Sequence, residues 1–320
     1  MSKDSKSEEK KQKATYRIVN WSAYNKALKE RGKLSLWLPA NLADIWYETS
    51  QAPAIGKRKY SDLAIEFCLT IKQLYHLVYR QTQGFIEDLF SLLKLDLGVM
   101  SYSQLQRRQK DLIINMAPKE VLVKQHITLV IDSTGLKVSG EGEWKVRQHG
   151  KTKNRQWLKL HLASQPHNLE IMSQVLTFND VDDATAGIEV IGKIQANIKT
   201  CAGDGAYDKE KFRAILSPTT QQLIPPQENA VLSDNQPLMA QRDQAIKAIN
   251  ATNRATWKKS VNYHSRSKAE VNMFRYKVIL GDRIRAKKLI NQKIEVSINC
   301  KILNQFAAMG LPITHKIERL

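Results

Sequence analysis

Cysteine is scarce in this chain of 320 residues. Cys68, Cys201 and Cys300 are the only three, far apart and never in a Cys-x-x-Cys pair. That excludes a disulfide framework and a thiolate zinc site, and leaves three small apolar residues in a reducing compartment. Long apolar runs are missing too: none approaches the roughly 20 residues that cross a bilayer. No His-Glu-x-x-His pattern occurs, and the seven histidines assemble no nucleophile, base and orienting acid. The stretch HGKTK, residues 149 to 153, ends like a phosphate-binding loop. Lys145 stands where that loop needs its first glycine, which excludes a nucleotide cofactor. The N-terminal MSKDSKSEEKKQKATYR has no apolar core, so residues 1–15 read as a disordered polar tail and not as a secretory signal. A soluble, cytoplasmic protein with no membrane partner is expected.

Acidic residues are also in deficit. Asp and Glu number 31 against 50 Lys and Arg, a formal charge of +19. Such a surface favours a polyanion: nucleic acid, an anionic membrane surface or RNA in an assembly. Charge that merely keeps a protein soluble is the alternative.

What is present is ample for a buried core, with 42% hydrophobic residues and room for two domains. Residues 16–120 read as helical. Trp21, Tyr24 and Leu28 share a helix that Gly32 can end. Ser61 can cap a helix with Leu63, Ala64, Phe67, Ile71, Leu74, Leu77 and Val78 on one wide face. A second helix follows with Phe85, Leu89, Leu92 and Leu93 inward, and then a short basic one, capped by Ser101 or Ser103, with Arg107, Arg108 and Lys110. Helix, turn and basic helix form the outline of a helix-turn-helix DNA reader, with Arg107 and Arg108 as candidate DNA contacts; plain bundle packing gives the same outline. Pro118 marks a boundary near residue 120.

Residues 121–320 change character. HITLVIDST is a strand ending at Asp132. LKVSGEGEWKV, with Leu136, Val138, Trp144 and Val146, is a hairpin. WLKLHLAS and LEIMSQVLTF are strands joined by the turn QPHN. A helix capped by Asp182 or Asp183 follows, then the strand IKTCAG ending at Asp204, a helix over YDKEKFRAILS, the strand QQLIPP, a polar loop to about residue 240, and helices to the end. The fold class is α/β, a mixed domain behind an all-helical region.

The acids deserve a separate reading. Asp132 and Asp204 both follow apolar strands, the position where functional groups gather in open α/β sheets; capping the next turn is the structural alternative. In YHSRSKAEVNMFRYKV, residues 263–278, Tyr263, Arg266, Glu270 and Lys277 fall within about 40° of one helical stripe. Met273 and Leu280 border it on one side, Val271 and Val278 on the other, with Phe274 close by. Such a stripe faces something polar in a groove; a surface bridge between Arg266 and Glu270 at i,i+4 is the alternative. Three carboxylates in a basic protein suit Mg²⁺ or Mn²⁺, which prefer oxygen ligands. Two such ions about 3.5–4 Å apart support phosphodiester chemistry, with the surrounding cations on the backbone.

These residues carry a resemblance. The spacing Tyr263, Arg266, Glu270, Lys277, with IDSTGLKV around Asp132 and GDGAYD giving Asp204 and not Asp208, resembles the DDE transposases of bacterial insertion sequences, in particular the IS-five-type group. NWSAYNKAL and the segment from YSDLAI to RQTQGF resemble that family's helical region. The likeness covers nearly the whole chain after the tail. It implies an RNase H-like catalytic domain, a mixed sheet with flanking helices. Asp132, Asp204 and Glu270 would be catalytic and hold two Mg²⁺ ions, with Mn²⁺ able to substitute. Tyr263, Arg266 and Lys277 would hold DNA phosphates. Water and then a DNA 3′-hydroxyl would attack in turn. The N-terminal helices would read the element's terminal inverted repeats. The partners would be double-stranded DNA, as element ends and target, and a second copy in a dimer or larger assembly at the nucleoid. Trp157 is a core residue or a base-stacking one. An inert DNA-binding descendant of a transposase, and an RNase H-like nuclease that cuts without joining, are the competing readings.

Overall fold

A computed structural model describes residues 16–49, 59–116, 126–138, 157–233 and 236–317. The polar tail, the boundary near residue 120, the hairpin turn with Trp144 and Val146, and HGKTK lie outside them.

Strand β1 (Tyr16–Ile18) pairs antiparallel with the far end of the chain, β8 (Thr314–Lys316). Helix α1 (Trp21–Arg31) stops at Gly32 as expected, but buries Ala27 and leaves Trp21 and Leu28 in solvent. After α2 (Leu42–Trp46), Ser61 opens α3 (Asp62–Leu74) by accepting the Ala64 N–H at 3.0 Å. The long helix expected from Ser61 breaks early, because His76 takes a left-handed φ of 55°. A new helix, α4 (Tyr79–Leu92), starts out of phase with it. Val78, expected inward, is therefore exposed; Leu92 and Leu93, expected inward at the end of α4, are exposed too, as is Leu63 at the edge of the α3 stripe. Ser101 caps α5 (Tyr102–Arg108) in a capping box with Gln104.

The central sheet runs β4–β3–β2–β5–β6. Its strands are β2 (His126–Val138), β3 (Trp157–Ser164), β4 (Ile171–Phe178), β5 (Asn197–Ala202) and β6 (Gln221–Leu223). The first three are antiparallel neighbours; β5 and β6 run parallel to β2. This is the mixed sheet of an RNase H-like domain, flanked by helices. The strand expected to end at Asp132 continues to Val138, because β3 pairs with it from Val130 to Lys137 while β5 leaves at Ala202. At its far end β2 gains the short β7 (Arg283–Ile284).

Asp182 caps α6 (Asp183–Gly192), accepting from the Thr185 N–H. The next expected helix shrinks to α7 (Glu210–Arg213), because Tyr207 and Asp208 are drawn into the interior ahead of it. Then come α8 (Ala240–Ala251), α9 (Arg254–Ser260), α10 (Ser267–Leu280) and the 21-residue α11 (Leu289–Met309). Val296, Ile298, Cys300, Ile302 and Leu303 of α11 are buried, covering much of its circumference. They join Trp46, Ile65 and Phe90 of the N-terminal helices to Leu136, Leu160 and Ile171 of the sheet in one apolar cluster. A second cluster lies under α6 and includes Ile131, Val190, Tyr207 and Phe212. All three cysteines are buried and free.

Candidate active site

Pairing places the first two acids. The β2–β5 ladder ends at Val130 opposite Ala202. Asp132 and Asp204 each stand two residues beyond that rung. Side chains alternate along a strand, so both acids return to the face of Val130 and Ala202. On that face Val130 and Ala202 pack with Leu223, Tyr263 and Ala269. Gly203 makes the approach close: a Cβ there would fall 2.9 Å from the Tyr207 ring and 3.1 Å from Ile131. Asp204 then caps a 3₁₀ turn, its carboxylate accepting the Ala206 N–H at 2.9 Å.

The third element crosses this opening. Tyr263 and Arg266 do not lie on the α-helix that spacing suggests. Asn262 is left-handed at φ 53°, and residues 263–266 form a 3₁₀ turn before α10 begins at Ser267. The turn sends Tyr263 inward, where its hydroxyl donates to the Gly203 carbonyl at 3.0 Å. Burial pushes that phenol up to about 12; Arg266 opposes this and the three acids reinforce it. Arg266 donates from one arm to Asp132 Oδ2 at 2.8 Å and from the other to Glu270 Oε1. One guanidinium thus bridges a carboxylate of β2 and one of α10. The i,i+4 contact weighed from the sequence is present, but it extends into the sheet.

Burial raises the Asp132 carboxyl above its ordinary value. The Ser133 N–H and Arg266 pull it down, and the negative charges of Asp204 and Glu270 push it further up. Burial pulls Arg266 down, but Tyr263, Asp132 and Glu270 outweigh it and the net shift is upward. Glu270 is exposed, with 58% of its side-chain surface free, against 15% for Asp132. No group of three His, Cys, Asp or Glu among the described residues forms a ready cation cage. The donor set nevertheless suits a hard cation. It offers only carboxylate oxygens, and a positive group already lies between two of them. A divalent ion there would compete with Arg266 for the same oxygens.

Asp208 has a different environment. Its carboxylate, 1% exposed, accepts from Arg213 at 2.8 Å, from Arg242 at 3.1 Å and from the Gln227 N–H at 3.0 Å. Lys277 is half-buried on α10, makes no ion pair with a described residue, and stands apart from the Arg266 bridge. The two apolar borders of the stripe differ: Met273 and Leu280 are buried, while Val271 and Val278 on the other side are exposed, as is Phe274, so the stripe is not enclosed on both sides. Arg108 turns inward, donating to the Tyr60 carbonyl at 3.0 Å and to Asp62 at 2.6 Å. Arg107 is exposed and, among the described residues, hydrogen-bonds only within its own helix, to the Ser103 carbonyl. Trp157 is half-buried against Gly135, with Lys137 over its ring.

Beside Asp204 opens a groove of about 590 Å³, lined also by Pro225, Pro226, Glu228, Arg254, Lys258 and Arg266. Arg254 and Lys258 were not singled out from the sequence. Their signal is two cations at i,i+4 around the buried Trp257, just ahead of Tyr263.

Two family models match the chain. One, described as a transposase DDE domain, covers residues 29–141; another with the same description covers residues 124–305. The second spans more than half of the 320 residues. Asp132, Asp204 and Glu270 all lie inside it.

Proposed function

The chain belongs to the DDE transposases, and from that premise we propose that Asp132, Asp204 and Glu270 are the acids with which it cuts and joins DNA. The observation that carries this reading is the Arg266 bridge. Strand β2 supplies Asp132 and α10 supplies Glu270, more than a hundred residues apart, and one guanidinium binds both. Asp204 is attached to the same assembly through Tyr263 and the Gly203 carbonyl. A structural ion pair would need one acid; here the charges of three act on one another.

Transposases of this family use divalent metal ions. The acids would hold two, Mg²⁺ or Mn²⁺, which when bound lower the pKa of an attacking water or 3′-hydroxyl and stabilise the departing oxygen. The chain's own residues have separate tasks. Tyr263 ties the end of β5 to the turn that carries Arg266, fixing Asp204 relative to Glu270. Arg266, once its carboxylates are neutralised, offers a two-pronged donor to a phosphate. Lys277 supplies a further positive charge on α10. The exposed Arg107 and the helices around it would contact the element's terminal inverted repeats, and a second copy would bind the other end. Membership of the IS-five-type group rests on the spacing of Tyr263, Arg266, Glu270 and Lys277.

The test is cleavage of DNA carrying the element's own ends, in Mg²⁺ or EDTA, by wild type and Glu270→Gln. Metal-dependent 3′-hydroxyl ends that disappear in the variant are expected. Wild-type cutting by Glu270→Gln would remove Glu270 from the site. Specific binding by the wild type with no cutting in Mg²⁺ would point to an inert descendant.

A further inference from the structure

The groove beside Asp204 is lined by Pro225, Pro226 and the exposed Glu228, and by three cations, Arg254, Lys258 and Arg266. The inward-turned cations Arg213, Arg242 and Lys159 are already paired, the first two with Asp208 and the third with Asp183. Arg254 and Lys258 are half-buried, yet neither forms an ion pair or hydrogen bond with any described residue. Partly burying a charge without a counter-ion is unfavourable, so two cations with no anionic partner lining a groove leave room for an anion.

Their placement is fixed. Helix α9 is anchored by the buried Trp257 and capped by Asn253, which accepts the Thr256 N–H at 2.9 Å. Lys258 Nζ lies 5.2 Å from the centre of the Tyr263 ring, and the Arg266 guanidinium 6.0 Å from it. That ring packs against Trp257, centroids 6.2 Å apart, and its hydroxyl is held by the Gly203 carbonyl. Lys258 is therefore tied, through one tyrosine, to the residue preceding Asp204. Arg254 stands one helical turn further out, about 6 Å along the axis.

We propose that Arg254 and Lys258 are a phosphate-binding wall for DNA, holding the backbone of the strand that runs out of the carboxylate site. A row of cations a helical turn apart suits a ligand with repeated negative charges. Glu228, which lines the same groove, repels a second strand there, so one backbone follows the α9 cations. Both residues lie outside the spacing pattern of Tyr263, Arg266, Glu270 and Lys277, and the proposal rests on the reading of this site as a DNA-cutting one.

The test is the salt dependence of binding to a fluorescently labelled DNA duplex, with Ca²⁺ in place of Mg²⁺. Wild type is compared with Arg254→Gln, Lys258→Gln, the double variant and Lys258→Arg. Each neutral variant should lower the slope of log affinity against log salt by about 0.9, the contribution of one phosphate contact, and the double variant by about twice that. Lys258→Arg should restore the wild-type slope, which a merely structural role would not predict. A double variant with the wild-type slope and an unchanged urea midpoint would overturn the wall. A wild type that cuts no DNA while the slopes still fall would count against the catalytic reading and leave the wall standing.

Discussion

Asp204 and Asp208 lie four residues apart in one short segment and should fail in opposite ways when neutralised. Asp208 balances a fully buried guanidinium: both side chains of the Asp208–Arg213 pair are 1% exposed, and Arg242 and the Gln227 N–H share the same carboxylate. Asp208→Asn keeps the shape and removes the charge, leaving Arg213 buried without its counter-ion. Breaking a buried pair from one side costs about 3–5 kcal/mol, a large part of the roughly 5–15 kcal/mol that holds a folded protein together. With a urea m-value of about 3 kcal/mol/M for a larger chain, the midpoint should fall by about 1 M or more. Asp204 is half-buried and satisfies only the Ala206 N–H. Neutralising it also relieves repulsion with Asp132, so Asp204→Asn should keep its midpoint within about 0.3 M of wild type while losing cleavage. The assay is urea unfolding followed by intrinsic fluorescence, with cleavage measured in parallel. An unchanged midpoint for Asp208→Asn would refute the assignment of that residue to the interior. Full cleavage by Asp204→Asn would refute its place in the site.

Tyr263→Phe removes one hydrogen bond and leaves the ring. Loss of about 1 kcal/mol of anchoring at Gly203 should slow single-turnover cleavage by up to about fivefold, with equilibrium DNA affinity unchanged; lost affinity with normal cleavage would place the hydroxyl on DNA instead. Arg107→Ala should leave stability untouched and lower the salt slope of DNA binding by about 0.9, whereas Arg108→Ala should cost about 1 kcal/mol of stability through Asp62 and the Tyr60 carbonyl, both read by urea unfolding and binding titrations. His161 is fully buried, with Thr177 at 2.9 Å and Asp183 at 3.6 Å. Burial lowers its pKa to about 4, Asp183 and Glu189 opposing and Lys159 assisting. The unfolded chain takes up this proton below about pH 6.5 and the native one only near 4. Stability should therefore be lost as pH falls through that window, by on the order of 3 kcal/mol, and His161→Gln should flatten the profile.

The sequence was most informative where structure is local. Alternation located β3 and β4, side-chain type marked the cap Ser61, and it narrowed two others to Ser101 or Ser103 and to Asp182 or Asp183, of which the structure uses Ser101 and Asp182. The acids stood out because Asp132 and Asp204 follow apolar strands and Glu270 sits among cations. What was not legible depends on partners far along the chain. Nothing near Asp208 announces Arg242, 34 residues away, and nothing near Arg108 announces Asp62. The left-handed turns at His76 and Asn262 reset helical phase, so a continuous 3.6-residue count misplaced Val78 and put Tyr263 on a helix it precedes. Arg254 and Lys258 look like a solvated face until Tyr263 and Asp204 are seen beside them.

The apolar cluster that unites the N-terminal helices, α11 and the sheet has a geometric consequence. Trp46, Ile65 and Phe90 share one packed interior with Leu136 and Leu160, strand residues close to Asp132. Close-packed interiors transmit displacement and do not absorb it. On the proposed reading, a length of DNA gripped by the helices would be measured off against a fixed point, as by a caliper whose two jaws are cut from one piece of metal. The bond that is broken would be chosen by its distance from the bases that are held, and packing variants at this seam would shift or blur the position of the cut before they abolished it.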